Sequence, residues 1–238
     1  MKMNILQSIK NNIPNTITCL NLLCGALAIV VSFDPFATTT VLGLQGYQLA
    51  FAFIALGAVA DFCDGLVARL LNAVSPLGKE LDSLSDCVTF GLAPAMILFN
   101  VMVPAGCPQW MCYAAMLIPI FGALRLARFN IDTNQATTFT GLPIPANAIF
   151  WIGFINYYAN HHTISPWIVL ALIVALSLLM VCNLRMFSLK IHSFGIKETF
   201  RQYALIIAAV AFLVVGGISG LACVIIFYVI ASALFPEK

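Results

Sequence analysis

Long apolar runs, each broken by a short polar or proline- and glycine-bearing stretch, recur along the chain. About 20 apolar residues are needed to cross a bilayer core, and the pattern predicts spans over residues 13–33, 47–71, 80–103, 110–129, 143–159 and 166–183. Pro14 opens the first, because proline is tolerated in a first helical turn, and Asp34 and Pro35 close it. Residues 72–79, with Ser75, Pro76 and Gly78, predict a turn into the third span. Pro104, Gly106 and Pro108 precede the fourth, Pro143 and Pro145 open the fifth, and His161, His162 and Pro166 mark the turn into the sixth. Two further apolar segments, 203–215 and 221–235, flank Gly216, Gly217, Ser219 and Gly220. Both are short for spans, so they form either a helical hairpin or one re-entrant segment. Ahead of everything, Met3, Ile5, Leu6 and Ile9 alternate with Lys2, Asn4, Gln7 and Lys10. That mixture suits a short helix in the headgroup region, with a frayed polar tail as the alternative. It lacks the cleavage signature of a signal peptide, so the first apolar run is expected to remain as a span. The predicted fold is an all-α, polytopic transmembrane helical bundle. Its parts are an interfacial segment 1–12, a six-span core 13–183, a cytoplasmic loop 184–202 and a hydrophobic hairpin 203–235.

Composition turns this pattern into a class. Of 238 residues, 62% are hydrophobic and only 8% charged, with a mean hydropathy of +1.01. So little charge excludes a soluble domain. The net charge of +2 and the lack of a basic tract argue against nucleic acid as partner. With eight spans, all 11 lysines and arginines fall on one face. The positive-inside rule makes that face cytoplasmic and places both termini there. Trp110, Trp151 and Trp167 fall near predicted span ends and read as interface anchors, and His161 and His162 as an interfacial turn on the far face. Six of eight cysteines (Cys19, Cys24, Cys63, Cys87, Cys182 and Cys223) sit in apolar segments as small hydrophobes. Cys107 and Cys112 flank a short loop and would bridge if that loop faced an oxidising compartment.

The candidate chemistry lies between residues 61 and 86. Asp61, Asp64, Gly65 and Ala68 share one helical face, with Arg69 at its edge, and Gly78, Asp82 and Asp86 share a face of the next helix. Ionisable groups inside a span are costly and mark function by default. Converging carboxylates repel by up to roughly 4 kcal/mol per pair at 4 Å and an effective dielectric of 20, so either several are protonated or cations lie between them. All-oxygen ligands suit Mg²⁺, Mn²⁺ or Ca²⁺ and argue against zinc. The alternatives are polar residues that only knit helices, a cation transporter, and a non-catalytic lipid-binding protein. A transporter would continue its polar residues through the far half of the spans, where this sequence has almost none.

These eight positions reproduce D-x2-D-G-x2-A-R-x8-G-x3-D-x3-D, and the run resembles, without departure, the signature of the CDP-alcohol phosphatidyltransferase family. The resemblance implies a CDP-linked lipid, usually CDP-diacylglycerol, from which CMP leaves as an alcohol takes the phosphatidyl group. It implies Asp61, Asp64 and Asp82 as metal ligands, with Asp86 completing the cluster and acting as general base. Two ions, Mg²⁺ or Mn²⁺ with Ca²⁺ as a further candidate, are expected. Gly65, Ala68 and Gly78 would form the wall for cytidine and ribose. Arg69 would bind phosphate or pair with an aspartate. Pro14, Asn15 and Thr18, in an I-P-N-x-x-T run like the family's first helix, would hold the diphosphate, although Asn15 and Thr18 are also good helix-start residues. Homodimers are also implied.

The acceptor follows less directly. N-L-x-x-G (Asn21, Leu22, Gly25), F-G-L-A-P-A from Phe90, A-L-R-L-A-R-F-N from Ala123 and F-x-G-L-P-x-P-A from Phe139 resemble the serine-using branch of the family, in its bacterial and archaeal members. That implies L-serine as acceptor and a prokaryotic cytoplasmic membrane as location. Arg125 or Arg128 would clamp the serine carboxylate, with Asn130, Thr138 and Thr140 completing the pocket and Arg185 or Lys190 reaching it from the later loop. Glycerol 3-phosphate or an inositol phosphate would want the same arginines, so basicity alone does not choose between these acceptors. Snorkelling to the interface is the other reading of both arginines.

Overall fold

The computed structural model describes residues 5–38, 43–131, 139–161, 164–186 and 200–234. It divides into two compact units, Met1–Val101 and Met102–Lys238.

In the first unit, α1 (Ile5–Ser32), α2 (Gly46–Leu70) and α3 (Pro76–Asp86) pack together, and a π-helical segment (Cys87–Leu92) carries α3 into α4 (Ala93–Met102). The inward face of α1 is a stripe of Pro14, Thr18, Asn21, Gly25, Ala28 and Ser32, all buried, while Ile13, Leu20, Leu23, Leu27 and Val30 face outward. This inverts the pattern of a water-soluble helix. Lipid takes the large apolar side chains, and small or polar ones let neighbouring helices approach. A close approach of three helices surrounds Thr89 of the π segment. A Cβ on Gly57 would lie 2.6 Å from the Thr89 methyl, and one on Gly25 would collide with its hydroxyl.

In the second unit, a short α5 (Gln109–Cys112) and a 3₁₀ turn (Tyr113–Met116) lead into α6 (Leu117–Ile131). Then come α7 (Ile144–His161), α8 (Pro166–Val181), α9 (Phe200–Gly216) and α10 (Gly220–Leu234). α6 packs on α8, and α10 packs on both α7 and α9. Two two-residue strands, β1 (Phe139–Thr140) and β2 (Arg185–Met186), pair antiparallel with Phe139 opposite Met186. The Leu142 amide donates to the Leu179 carbonyl (3.0 Å), and the Gly141 amide to that of Leu184 (2.9 Å).

Among the described residues, four stretches are continuous, long and apolar enough to cross a membrane: Asn12–Ser32, Gly46–Leu70, Pro76–Met102 and Gln109–Ile131. A fifth, Gln202–Leu234, has the length but is folded back on itself. Gly217 adopts a left-handed φ of +54°, and a Cβ on Gly220 would strike the Phe212 backbone, eight residues earlier. That close approach makes the segment a hairpin, with arms of 17 and 15 residues. The chain is an all-α integral membrane protein.

Several expectations are corrected. Residues from Ile5 onward do not form a separate interfacial helix but run unbroken into the first span, with Pro14 inside α1. The predicted turn over 72–79 ends early. Ser75 caps α3, its hydroxyl accepting from the Gly78 amide (3.0 Å), and Pro76 takes the first helical position, so Gly78 and Lys79 are helical. Trp151 is no interface anchor: it is fully buried against Phe150 and Phe154, whereas Trp110 and Trp167 are exposed and meet edge to face. Cys107 and Cys112 are free thiols, and the Cys107 sulfur pairs with the Tyr158 hydroxyl at 3.1 Å. The loop expected from residue 184 begins instead as β2.

Candidate active site

Asp61 and Asp64 lie one turn apart in the second half of α2, and Asp82 and Asp86 one turn apart on α3. The turn between the helices is tight because Asn72 accepts a left-handed φ of +49° and Ser75 starts α3 at once. It folds the two acidic faces onto each other. One carboxylate oxygen each from Asp61, Asp64 and Asp82 lie within 4.8 Å of one another. Asp61 also meets Asp86 side chain to side chain. On the other side, Asn21 donates from Nδ2 to Asp86 Oδ1 at 3.5 Å.

The donor set fits a divalent cation. Asp64 is buried, and its Oδ2 has no hydrogen-bond partner among the described residues. A desolvated carboxylate oxygen with no donor is unfavourable. Placed among further carboxylates, it is relieved by a hard cation with oxygen ligands.

Above the cluster opens a cavity of about 470 Å³, within the range of small-ligand sites. Its lining brings together Pro14, Asn15, Thr18, Asp64, Gly65, Ala68, Arg69, Gly78 and Asp82, all expected at the site. Asp61 and Asp86 lie outside that lining. The position of a Cβ on Gly65 meets only open space, so a ligand can approach the α2 backbone there. Gly78 packs under Asn15, whose Oδ1 would be 3.0 Å from an added Cβ. The Thr18 hydroxyl donates back to the Pro14 carbonyl (3.1 Å). Arg69 donates from Nε to the Gly65 carbonyl (3.0 Å) of its own helix.

Ala73, Val74, Ser75 and Lys79 also line this cavity and were not foreseen. The Ser-Pro pair is a helix-start signal that points to them. Asn21 belongs to the N-L-x-x-G motif, and its place in the Pro14, Thr18, Asn21, Gly25 stripe marks it as inward-facing.

The second unit contains a cavity of about 480 Å³ lined by Arg125, Arg128, Phe129, Ile131, Thr140, Met180, Val181, Cys182 and Asn183. Arg128 donates from Nη1 to the Val181 carbonyl at 2.8 Å, a bond that satisfies the C-terminal end of α8. Asn130 is not among the lining residues, and Arg185 lies on β2 outside the lining. Thr138 and Lys190 lie outside the described residues.

Comparison with known proteins agrees with the acidic geometry. CDP-diacylglycerol–serine O-phosphatidyltransferase of Bacillus subtilis is 42% identical over 135 residues, covering 57% of this chain and 70% of that protein. The Helicobacter pylori protein of the same name is 34% identical over 179 residues, covering 72% and 70%. That of Methanocaldococcus jannaschii is 38% identical over 149 residues, covering 61% and 63%. The family model for CDP-alcohol phosphatidyltransferase matches residues 11–231, nearly the whole chain and both units. With its aspartates drawn together on α2 and α3 and the match running through both units, the chain belongs to the CDP-alcohol phosphatidyltransferase family.

Proposed function

We propose that this protein transfers the phosphatidyl group of CDP-diacylglycerol to the hydroxyl of L-serine, giving phosphatidylserine and CMP. The observation that carries this reading is that relatives from Bacillus, Helicobacter and Methanocaldococcus all bear the name of that serine-specific activity.

The chain's own residues divide the work. Gly65, Ala68 and Gly78 leave a wall without bulky side chains, against which cytidine and ribose pack. Pro14, Asn15 and Thr18 hold the diphosphate from α1, and Arg69 offers its guanidinium from α2. The acyl tails remain in lipid. Asp61, Asp64, Asp82 and Asp86 would hold two divalent cations, Mg²⁺ or Mn²⁺, with Ca²⁺ a further candidate. When bound, such ions neutralise charge developing on phosphoryl oxygens. Asp86 takes the proton of the serine hydroxyl as that oxygen bonds to the phosphorus of the phosphatidyl group. The phosphoanhydride bond to CMP breaks in exchange. Arg125 and Arg128 recognise the serine carboxylate, with Asn130, Thr138 and Thr140 around it. The distribution of basic residues supports a site open to the cytoplasmic side of a prokaryotic inner membrane. The protein works as a homodimer.

The test is CMP release by the purified protein from CDP-diacylglycerol with L-serine, glycerol 3-phosphate, inositol phosphate, choline or no acceptor, with and without chelator. Chelator-sensitive release driven by L-serine alone is expected. Release driven by another acceptor would keep the family and replace the substrate. No release under any condition would leave a non-catalytic lipid-binding protein.

A further inference from the structure

Asn21 is fully buried in α1, outside the eight-residue signature and outside the lining of the acidic cavity. It nevertheless makes two links to the segment that carries Asp86. Its Nδ2 faces Asp86 Oδ1 at 3.5 Å, a long contact of the kind that tightens once substrate is bound. Its backbone carbonyl accepts the Thr89 hydroxyl at 3.0 Å. Thr89 belongs to the π segment that begins directly after Asp86. Such segments change the register of a helix and recur at functional sites.

The amide is poorly explained as packing. Its Oδ1 is buried with no hydrogen-bond partner among the described residues and lies 2.9 Å from where a Cβ on Gly57 would stand. A leucine, branched in the same way, would fill the space and remove that orphaned oxygen. What leucine lacks is the N–H aimed at Asp86. The contact of Nδ2 with Asp86 Oδ1 sets which way the amide points.

We propose that Asn21 is a positioning residue for Asp86. Its amide fixes the carboxylate, and its carbonyl, through Thr89, fixes the π segment that sets where Asp86 stands. The inference rests on the reading of Asp86 as general base.

The experiment measures CMP release with L-serine, metal-dependent binding of CDP-diacylglycerol and the thermal midpoint for Asn21→Leu, Thr89→Val, Gly57→Val and Asp86→Asn. Asn21→Leu should lower kcat roughly 10- to 100-fold, the scale of one hydrogen bond to a charged group. Both KM values should stay within about twofold, because Asn21 positions the base and lies outside the lining of the cavity that takes the lipid head. Lipid binding and the midpoint should match the unaltered protein. Thr89→Val should lower kcat in the same direction by less. Asn21→Ala, which also lacks the donor and adds no charge, repeats the test if leucine does not fold, and should lose at least as much. A kcat within about threefold of the unaltered protein, beside an inactive Asp86→Asn, would overturn the positioning role alone. Loss of lipid binding and midpoint matching that of Gly57→Val would make Asn21 a packing residue. An active Asp86→Asn would remove the general-base reading and this inference with it.

Discussion

Two cavities of nearly equal size, about 470 and 480 Å³, stand in the two units and differ in sign and in construction. The first is acidic at its base and is made from three consecutive helices. Its carboxylates come from one stretch, joined by one capped turn. The second is basic and is assembled from α6, the β1 ladder and the end of α8. One of its arginines is engaged with the carbonyl of Val181, 53 residues on. A site built from neighbouring helical turns is specified by spacing, because i, i+3 and i+4 positions share a face. A site built from strand ends and a helix terminus is specified by tertiary contacts that spacing does not encode.

The contrast breaks most sharply at the acidic end. Asp86→Asn should reduce CMP release by about 10²- to 10⁴-fold, the usual contribution of a positioned base, while CDP-diacylglycerol still binds. Near-normal turnover would remove Asp86 as the base. Asp61→Ala and Asp82→Ala should lose activity and metal dependence together. A metal titration curve unchanged from that of the unaltered protein would count against their being ligands.

At the basic cavity the loss should be partial and directed. Arg125→Ala should raise KM for serine by roughly 10-fold or more, the scale of a charge-assisted bond, and leave KM for the lipid nearly unchanged. Arg128→Ala should show a mixed effect, since it also releases the Val181 carbonyl that it now satisfies. Equal changes in both KM values for Arg125→Ala would assign that arginine to folding or phosphate instead.

The remaining two effects are on stability. Gly57→Val places methyl groups where Thr89 and Asn21 already stand and should cost about 1–3 kcal/mol, read as a lower thermal midpoint. Ser75→Ala removes the cap of α3 and should cost about 1 kcal/mol. An unchanged midpoint for Ser75→Ala would mean that the turn is held by Pro76 and packing alone.

Much of the acidic site was legible. Asp61, Asp64, Asp82, Gly65, Ala68, Arg69 and Gly78 could be placed on facing helical surfaces by period alone, and the structure gathers them there. Asn21 escaped because its partner is 65 residues away, and no local pattern names it. The π segment escaped for a similar reason. Residues 87–92 read as ordinary span, and the shift in register accompanies the wedging of Thr89 between Gly25 and Gly57 of two other helices. Trp151 was misplaced because hydropathy locates span ends but not which side of a helix faces lipid.

By itself, then, the sequence determined the class of molecule, the positions of the helices to within a few residues, and an acidic helix pair with its ligand types. These depend on composition and on the fixed period of the helix. Only the tertiary structure decided that residues from Ile5 onward are helical without a break into the first span, that 202–234 folds into a hairpin, and that Asn21 reaches Asp86. It also set Arg128 on the end of α8. Those outcomes depend on which surfaces approach closely enough to exclude lipid, and that is settled where small residues from distant parts of the chain meet.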